Sequence, residues 1–178
     1  MRRLVNCAFI LISLLLFTGP AGAQSIEELL DMANDGIGSA QCLLGFKYLD
    51  GDGVDQDATE AMKWFRMAAE SGDAHASYTL GRIYYKGEGT PVDYAEALKW
   101  FLMAAEKSDA NSQFRLSEMY LNGNGVDKDQ VAAFAWLSLA IGNGANKRGV
   151  RDNLERNMTK AQVEQARELA DTLEANFE

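Results

Sequence analysis

The sequence predicts an all-α solenoid, a stack of helical hairpins with no sheet. Three observations predict it. Residues 38–73, 74–109 and 110–145 superpose at an offset of 36 residues without a gap. Gly51, Gly87 and Gly123 then coincide, as do Gly53, Gly89 and Gly125, and Trp64, Trp100 and Trp136. Within each unit, apolar residues recur at helical spacing in two stretches that the glycine pair separates. A gapless repeat of this length means stacked supersecondary units. Such a stack offers a long surface to another macromolecule and normally no enclosed active site.

The elements follow in order. Residues 1–23 read as a cleaved secretory leader, outside the fold: Arg2 and Arg3, an apolar run from Leu4 to Phe17, a break at Gly19-Pro20, and Ala21-Gly22-Ala23 for cleavage. The run is short for a membrane span. Residues 24–37 form half a repeat, with a lone second helix over Ser25–Asp35, because Leu29, Met32, Ala33 and Gly36 lie 36 residues before Phe65, Ala68, Ala69 and Gly72. In the second repeat, Ala76, Leu80, Ile83 and Tyr84 give a first helix over about 74–86. Gly87-Glu88-Gly89 ends it, since glycine accepts positive φ. Asp93 is the expected N-cap of a second helix over about 93–106, whose stripe is Ala97, Trp100, Phe101, Ala104 and Ala105. Each tryptophan should be a buried anchor. Gly45 and Gly81, with Ser117 in the third repeat, are small where two helices meet. Residues 146–178 are the closing cap and tail, with helices over 146–157 and 159–175. Thr159-Lys160-Ala161-Gln162 is a capping box. One lone helix, three pairs and a closing pair make nine.

Composition narrows the function. The chain carries a net charge of −9, and loss of the leader's two arginines would take it to −11. An acidic chain repels phosphate backbones, so nucleic acid is excluded as the expected partner. No further apolar run reaches the ~20 residues of a spanning helix. Cys42 is the one cysteine beyond the leader, so an internal disulfide is impossible and the thiol reads as structural.

These motifs resemble the Sel1-like repeat, a relative of the tetratricopeptide repeat. Ala74, Ala76, Leu80, Gly81 and Tyr84 fit the first-helix pattern. Gly51, Gly53, Val54 and Asp57 fit the loop, as do Gly123, Gly125, Val126 and Asp129. Ala61, Trp64, Ala68 and Ala69 fit the second helix. The resemblance implies a right-handed α/α superhelix acting as an adaptor or scaffold, of the exported bacterial type. Some cysteine-rich relatives bind or slowly hydrolyse β-lactams, with a disulfide joining the helices of each repeat. That cysteine pair is missing here in all three units, so the activity is not carried over.

No motif carries chemistry of its own. The acidic run Asp50–Asp57 fails as an EF-hand loop, because Val54 and Asp55 fall where a ligand and a glycine are needed. His75 is the sole histidine, which argues against zinc or a Cys–His dyad. No serine-hydrolase elbow, phosphate loop or dinucleotide fingerprint occurs, so no cofactor, metal or catalytic residue is expected.

The candidate site is instead a band on the first helices, opposite their apolar stripe. It comprises Ser39, Leu43, Phe46 and Asp50; His75, Thr79, Arg82 and Lys86; and Asn111, Arg115, Glu118 and Asn122. Its chemistry changes between repeats while the core positions do not. Tyr78, Tyr85 and Phe114 flank it, residues of the kind that anchor interfaces. Arg82, Lys86 and Arg115 should form a local positive strip. Leu43 and Phe46 stand apolar where the later repeats are polar, and either Ser25–Leu30 or a partner should cover them. The expected function is an exported, non-enzymatic scaffold that binds a protein or extended peptide on a concave face. The alternative is an envelope enzyme or small-ligand binder acting on cell-wall material or a β-lactam.

Overall fold

The computed structural model describes residues 25–177. The leader assigned to residues 1–23 lies outside them. Among the described residues there are nine α-helices and no strand. They are α1 (Ile26–Asn34), α2 (Gly38–Asp50), α3 (Ala58–Glu70), α4 (Ala74–Lys86), α5 (Tyr94–Ala105), α6 (Ala110–Asn122), α7 (Gln130–Gly142), α8 (Arg148–Glu155) and α9 (Lys160–Ala175). The pairs α2–α3, α4–α5 and α6–α7 are hairpins, and each packs on the next through its second helix. α1 takes the place of a second helix in front of α2, while α9 closes the stack on α7.

Local chemistry sets the helix ends. Asp57, Asp93 and Asp129 each accept two backbone N–H bonds at the start of α3, α5 and α7. Asp73 and Asp109 cap α4 and α6, but Ile37 stands at the matching position before α2 and offers no side-chain cap. Ser25 and Thr159 form capping boxes with Glu28 and Gln162. Gly51, Gly87 and Gly123 end α2, α4 and α6 in the left-handed region.

The second glycine of each pair serves packing between repeats. A Cβ on Gly125 would stand 2.8 Å from the Tyr94 carbonyl oxygen, and one on Gly89 would stand 2.9 Å from the Ala58 Cβ. Each loop thus leans on the start of the preceding repeat's second helix. Asn124 strengthens this by donating to the Tyr85 hydroxyl at 2.8 Å.

The core runs the length of the stack. Phe65, Phe101, Leu80, Leu116, Leu137 and Ala133 are fully buried, and the three tryptophans are buried on α3, α5 and α7. Gly45 and Gly81 face the rings of Phe65 and Phe101, where a Cβ would approach to 2.7 and 2.6 Å. In the third repeat the matching pair is Ser117 and Leu137, both buried. A smaller partner at 137 accompanies the larger residue at 117.

Successive repeats are also joined by polar ties. The Gln41 amide donates to the Ala33 carbonyl at 3.0 Å, and Gln113 donates to Ala105 at 3.2 Å. The matching residue between the first two repeats is Ser77, which bonds to Asp73 on its own helix instead. There Arg66 of α3 donates to the Tyr84 hydroxyl of α4.

Candidate functional site

The predicted band lies on α2, α4 and α6, and the structure brings most of it into one surface. Ser39, Asp50, His75, Lys86, Asn111 and Asn122 are exposed. Phe46, Tyr78, Arg82, Phe114, Arg115 and Glu118 are half-buried. Leu43 is 42% exposed. Contacts link neighbouring units along this surface. The Phe46 ring lies 5.4 Å from His75, carrying the band from α2 to α4. Arg115 meets the Tyr78 hydroxyl, carrying it from α4 to α6. The Lys147 ammonium sits 4.5 Å from the Phe114 ring centroid.

Thr79 does not belong to the surface. It is only 2% exposed, and its hydroxyl donates to the His75 carbonyl at 2.8 Å. The reason is that α4 is flanked by both α3 and α5. Its buried arc is therefore wider than the stripe seen in one hairpin. A threonine that returns its hydroxyl to its own helix can lie within that arc, whereas the longer Arg115 at the matching position reaches out.

The expected positive strip is also corrected. Arg82 pairs with Glu88 at 2.5 Å, and Lys86 reaches the same carboxylate at 3.3 Å. Arg115 pairs with Glu118 at 2.7 Å. Burial works against charge on Arg115, but the Glu118 carboxylate and the Tyr78 hydroxyl outweigh it and raise the pKa above the ordinary arginine value. Two carboxylates therefore hold the three cations, and the field of the strip is largely cancelled. Glu88 lies in the glycine loop, where helical periodicity gives no sign of it.

The apolar pair divides. Phe46 packs edge-on against Phe65, with ring centroids 4.8 Å apart, and belongs in part to the core. Leu43 remains open. Ser25–Leu30 does not close over it: Leu29 is instead buried with Ala40, Leu44 and Trp64.

The other candidates are structural. Cys42 is buried as a free thiol, and burial, with the Asp73 carboxylate adding to it, pushes its pKa up to about 12. In the acidic loop, Asp57 caps α3 and Asp52 pairs with Lys47. Among the described residues, no group of three or more His, Cys, Asp or Glu is placed to hold a metal ion. No described helix is long and apolar enough to cross a membrane.

The Sel1 repeat model matches residues 38–73, 74–109 and 110–144. The chain belongs to the Sel1 repeat family. A crystal structure of a Sel1 repeat protein from Oxalobacter formigenes superposes with a TM-score of 0.69 at 35% identity, over 74% of this chain and 99% of that one. A protective antigen of uropathogenic Escherichia coli strains, displaying an SLR fold, matches with a TM-score of 0.64 at 37% identity, over 67% of this chain. This chain spans only 26% of that antigen's length. No curated protein matches. Sel1 repeat proteins are typically non-enzymatic scaffolds that mediate protein interactions.

Proposed function

We propose that this Sel1 repeat protein is an exported scaffold that holds a protein or extended peptide on the face built by α2, α4 and α6. The observation that carries the reading is the linked surface from Leu43 and Phe46 through His75, Tyr78 and Arg115 to Phe114. Its chemistry changes from apolar to basic to mixed, above a core that hardly changes. A repeated framework with a varied outer row is how a solenoid acquires one particular partner. Leu43 contributes open apolar area, and Tyr78 and Phe114 contribute rigid aromatic area beside charged groups. With Arg82, Lys86 and Arg115 already paired, binding on this face rests on shape and apolar burial more than on charge steering. The leader-like residues 1–23 support a periplasmic or secreted location.

The test is cross-linking and co-purification from the native envelope with wild type, Leu43→Asp and Tyr78→Ala. The expected result is a protein captured by wild type and lost from both variants, with Leu43→Asp melting as wild type does. Capture that is indifferent to both substitutions would place recognition on another face.

A further inference from the structure

The segment that leads through α8 to the start of α9 carries the opposite charge from the rest of the chain. Between Lys147 and Lys160, five cations stand against two acids, in a chain whose net charge is −9. This segment borders two open clefts. The larger, about 550 Å³, is lined by three acids, Asp152, Glu155 and Glu164, and three cations, Arg156, Lys160 and Arg167, with Met158 and Val163. The smaller, about 300 Å³, runs over Phe134 and Ser138 of α7. Glu155 and Arg167 border both, and their 3.7 Å pair forms the divide.

Each carboxylate of the cleft has an ion-pair partner, whereas two of its cations have none among the described residues. Asp152 is held by Arg151 at 3.1 Å. Glu155 and Glu164 both lean on Arg167, at 3.7 and 3.6 Å. Arg156 reaches only the side-chain oxygen of Asn153, at 3.4 Å. Lys160 has no ion pair among the described residues. The apolar lining of the cleft is Met158, half-buried, and Val163, buried. This contrasts with the α2–α4–α6 face, where every cation of the band meets a glutamate.

We propose that the α8–α9 cleft is a second binding site, which takes a carboxylate carried beside an apolar side chain on a peptide segment. Arg156 and Lys160 supply donors for one carboxylate, while the half-buried Met158 receives the apolar group. The three resident carboxylates set a limit on the ligand's charge: a single negative group is matched by the unpaired cations, whereas a run of phosphates would face Asp152, Glu155 and Glu164. The site lies on the closing helices, so it is independent of the proposed docking face.

The probe is a fluorescein-labelled Leu-Glu-Leu peptide with blocked ends, measured by anisotropy against its Leu-Gln-Leu counterpart. The glutamate peptide should bind about fivefold to tenfold more tightly in low salt, the effect expected of two exposed charge contacts, and should lose that margin as salt rises. Arg156→Gln with Lys160→Gln should remove the margin, and both positions are exposed, so the fold should persist. Arg82→Gln should leave it intact, which separates this site from the other face. Equal binding of the two peptides, or a margin that survives the double variant, overturns the proposal. N-acetyl-leucine displacing the peptide at equal concentration would overturn the assignment to a peptide.

Discussion

Gly81 is the position where one added methyl group has the most clearly opposed consequences. Glycine within a helix ordinarily costs ~1 kcal/mol relative to alanine. On propensity alone, Gly81→Ala should stabilise α4. The structure opposes this, because a Cβ there would stand 2.6 Å from both Cδ1 and Cε1 of Phe101 and 3.0 Å from Cγ. Phe101 is fully buried, so its ring has nowhere to swing. Overpacking of a tight core typically costs ~1–3 kcal/mol. Three ring atoms within 3.0 Å place this site toward the top of that range, and the net loss is about 1–2 kcal/mol. Gly149 in α8 supplies the control, since nothing lies within 4 Å of a Cβ built there. Gly149→Ala should stabilise by ~0.5–1 kcal/mol. The assay is thermal unfolding followed by circular dichroism, with ~2–4 °C expected per kcal/mol for a chain of this size. Gly81→Ser combined with Phe101→Leu recreates the pair found at Ser117 and Leu137, and it should recover part of the loss of Gly81→Ser alone. A Gly81→Ala protein at least as stable as wild type would refute the packing argument. Absence of any recovery in the double variant would refute the pairing.

Trp100 is 4% exposed and its indole N–H donates to Glu96 at 3.1 Å, so Trp100→Ala should cost ~3–5 kcal/mol in urea unfolding. A midpoint close to wild type would show that the indole is dispensable. Cys42, with its pKa raised to about 12, should resist iodoacetamide at pH 8 and react only in denaturant, as read by peptide mass spectrometry. The folded state keeps this proton where the unfolded chain releases it. The contribution to stability is therefore complete below about pH 9 and fades as pH rises toward about 12. Cys42→Ala should lose that alkaline slope, and an unchanged slope would assign it to other groups.

Much of the architecture could be read from sequence because the repeat is gapless. The spacing predicts a helix over 74–86, and α4 spans those residues. The prediction of 93–106 differs from α5 by one residue at each end, and the Thr159 capping box forms as expected. These features depend on periodicity and on neighbours within four residues. The surface was less legible because it depends on how repeats lie against one another. Thr79 lies on the polar side of its own helix by periodicity and is nonetheless buried, its hydroxyl turned back to the His75 carbonyl. Glu88 approaches Arg82 across a glycine turn whose course a helical wheel does not contain. The α8–α9 cleft had a visible signal in the five cations between Lys147 and Lys160, but a closing cap has no second copy to align with. The amides of Gln41 and Gln113 also escape periodicity, since their bonds join one unit to the last turn of another.

Those amide ties bear on how the stack can bend. The joints before α2 and before α6 are fastened from inside, by buried glutamine amides that solvent and partners cannot reach. The joint between α3 and α4 lacks this fastening, and its tie is made from outside, by the exposed Arg66 on the Tyr84 hydroxyl. Of these three joints, two are tied through a buried amide and one through a solvent-exposed guanidinium. A molecule that drew Arg66 away would remove that tie and leave the two amide ties in place. Phe46 and His75 meet across that same joint. The joint whose polar tie faces solvent is thus the one at which the proposed docking face passes from α2 to α4.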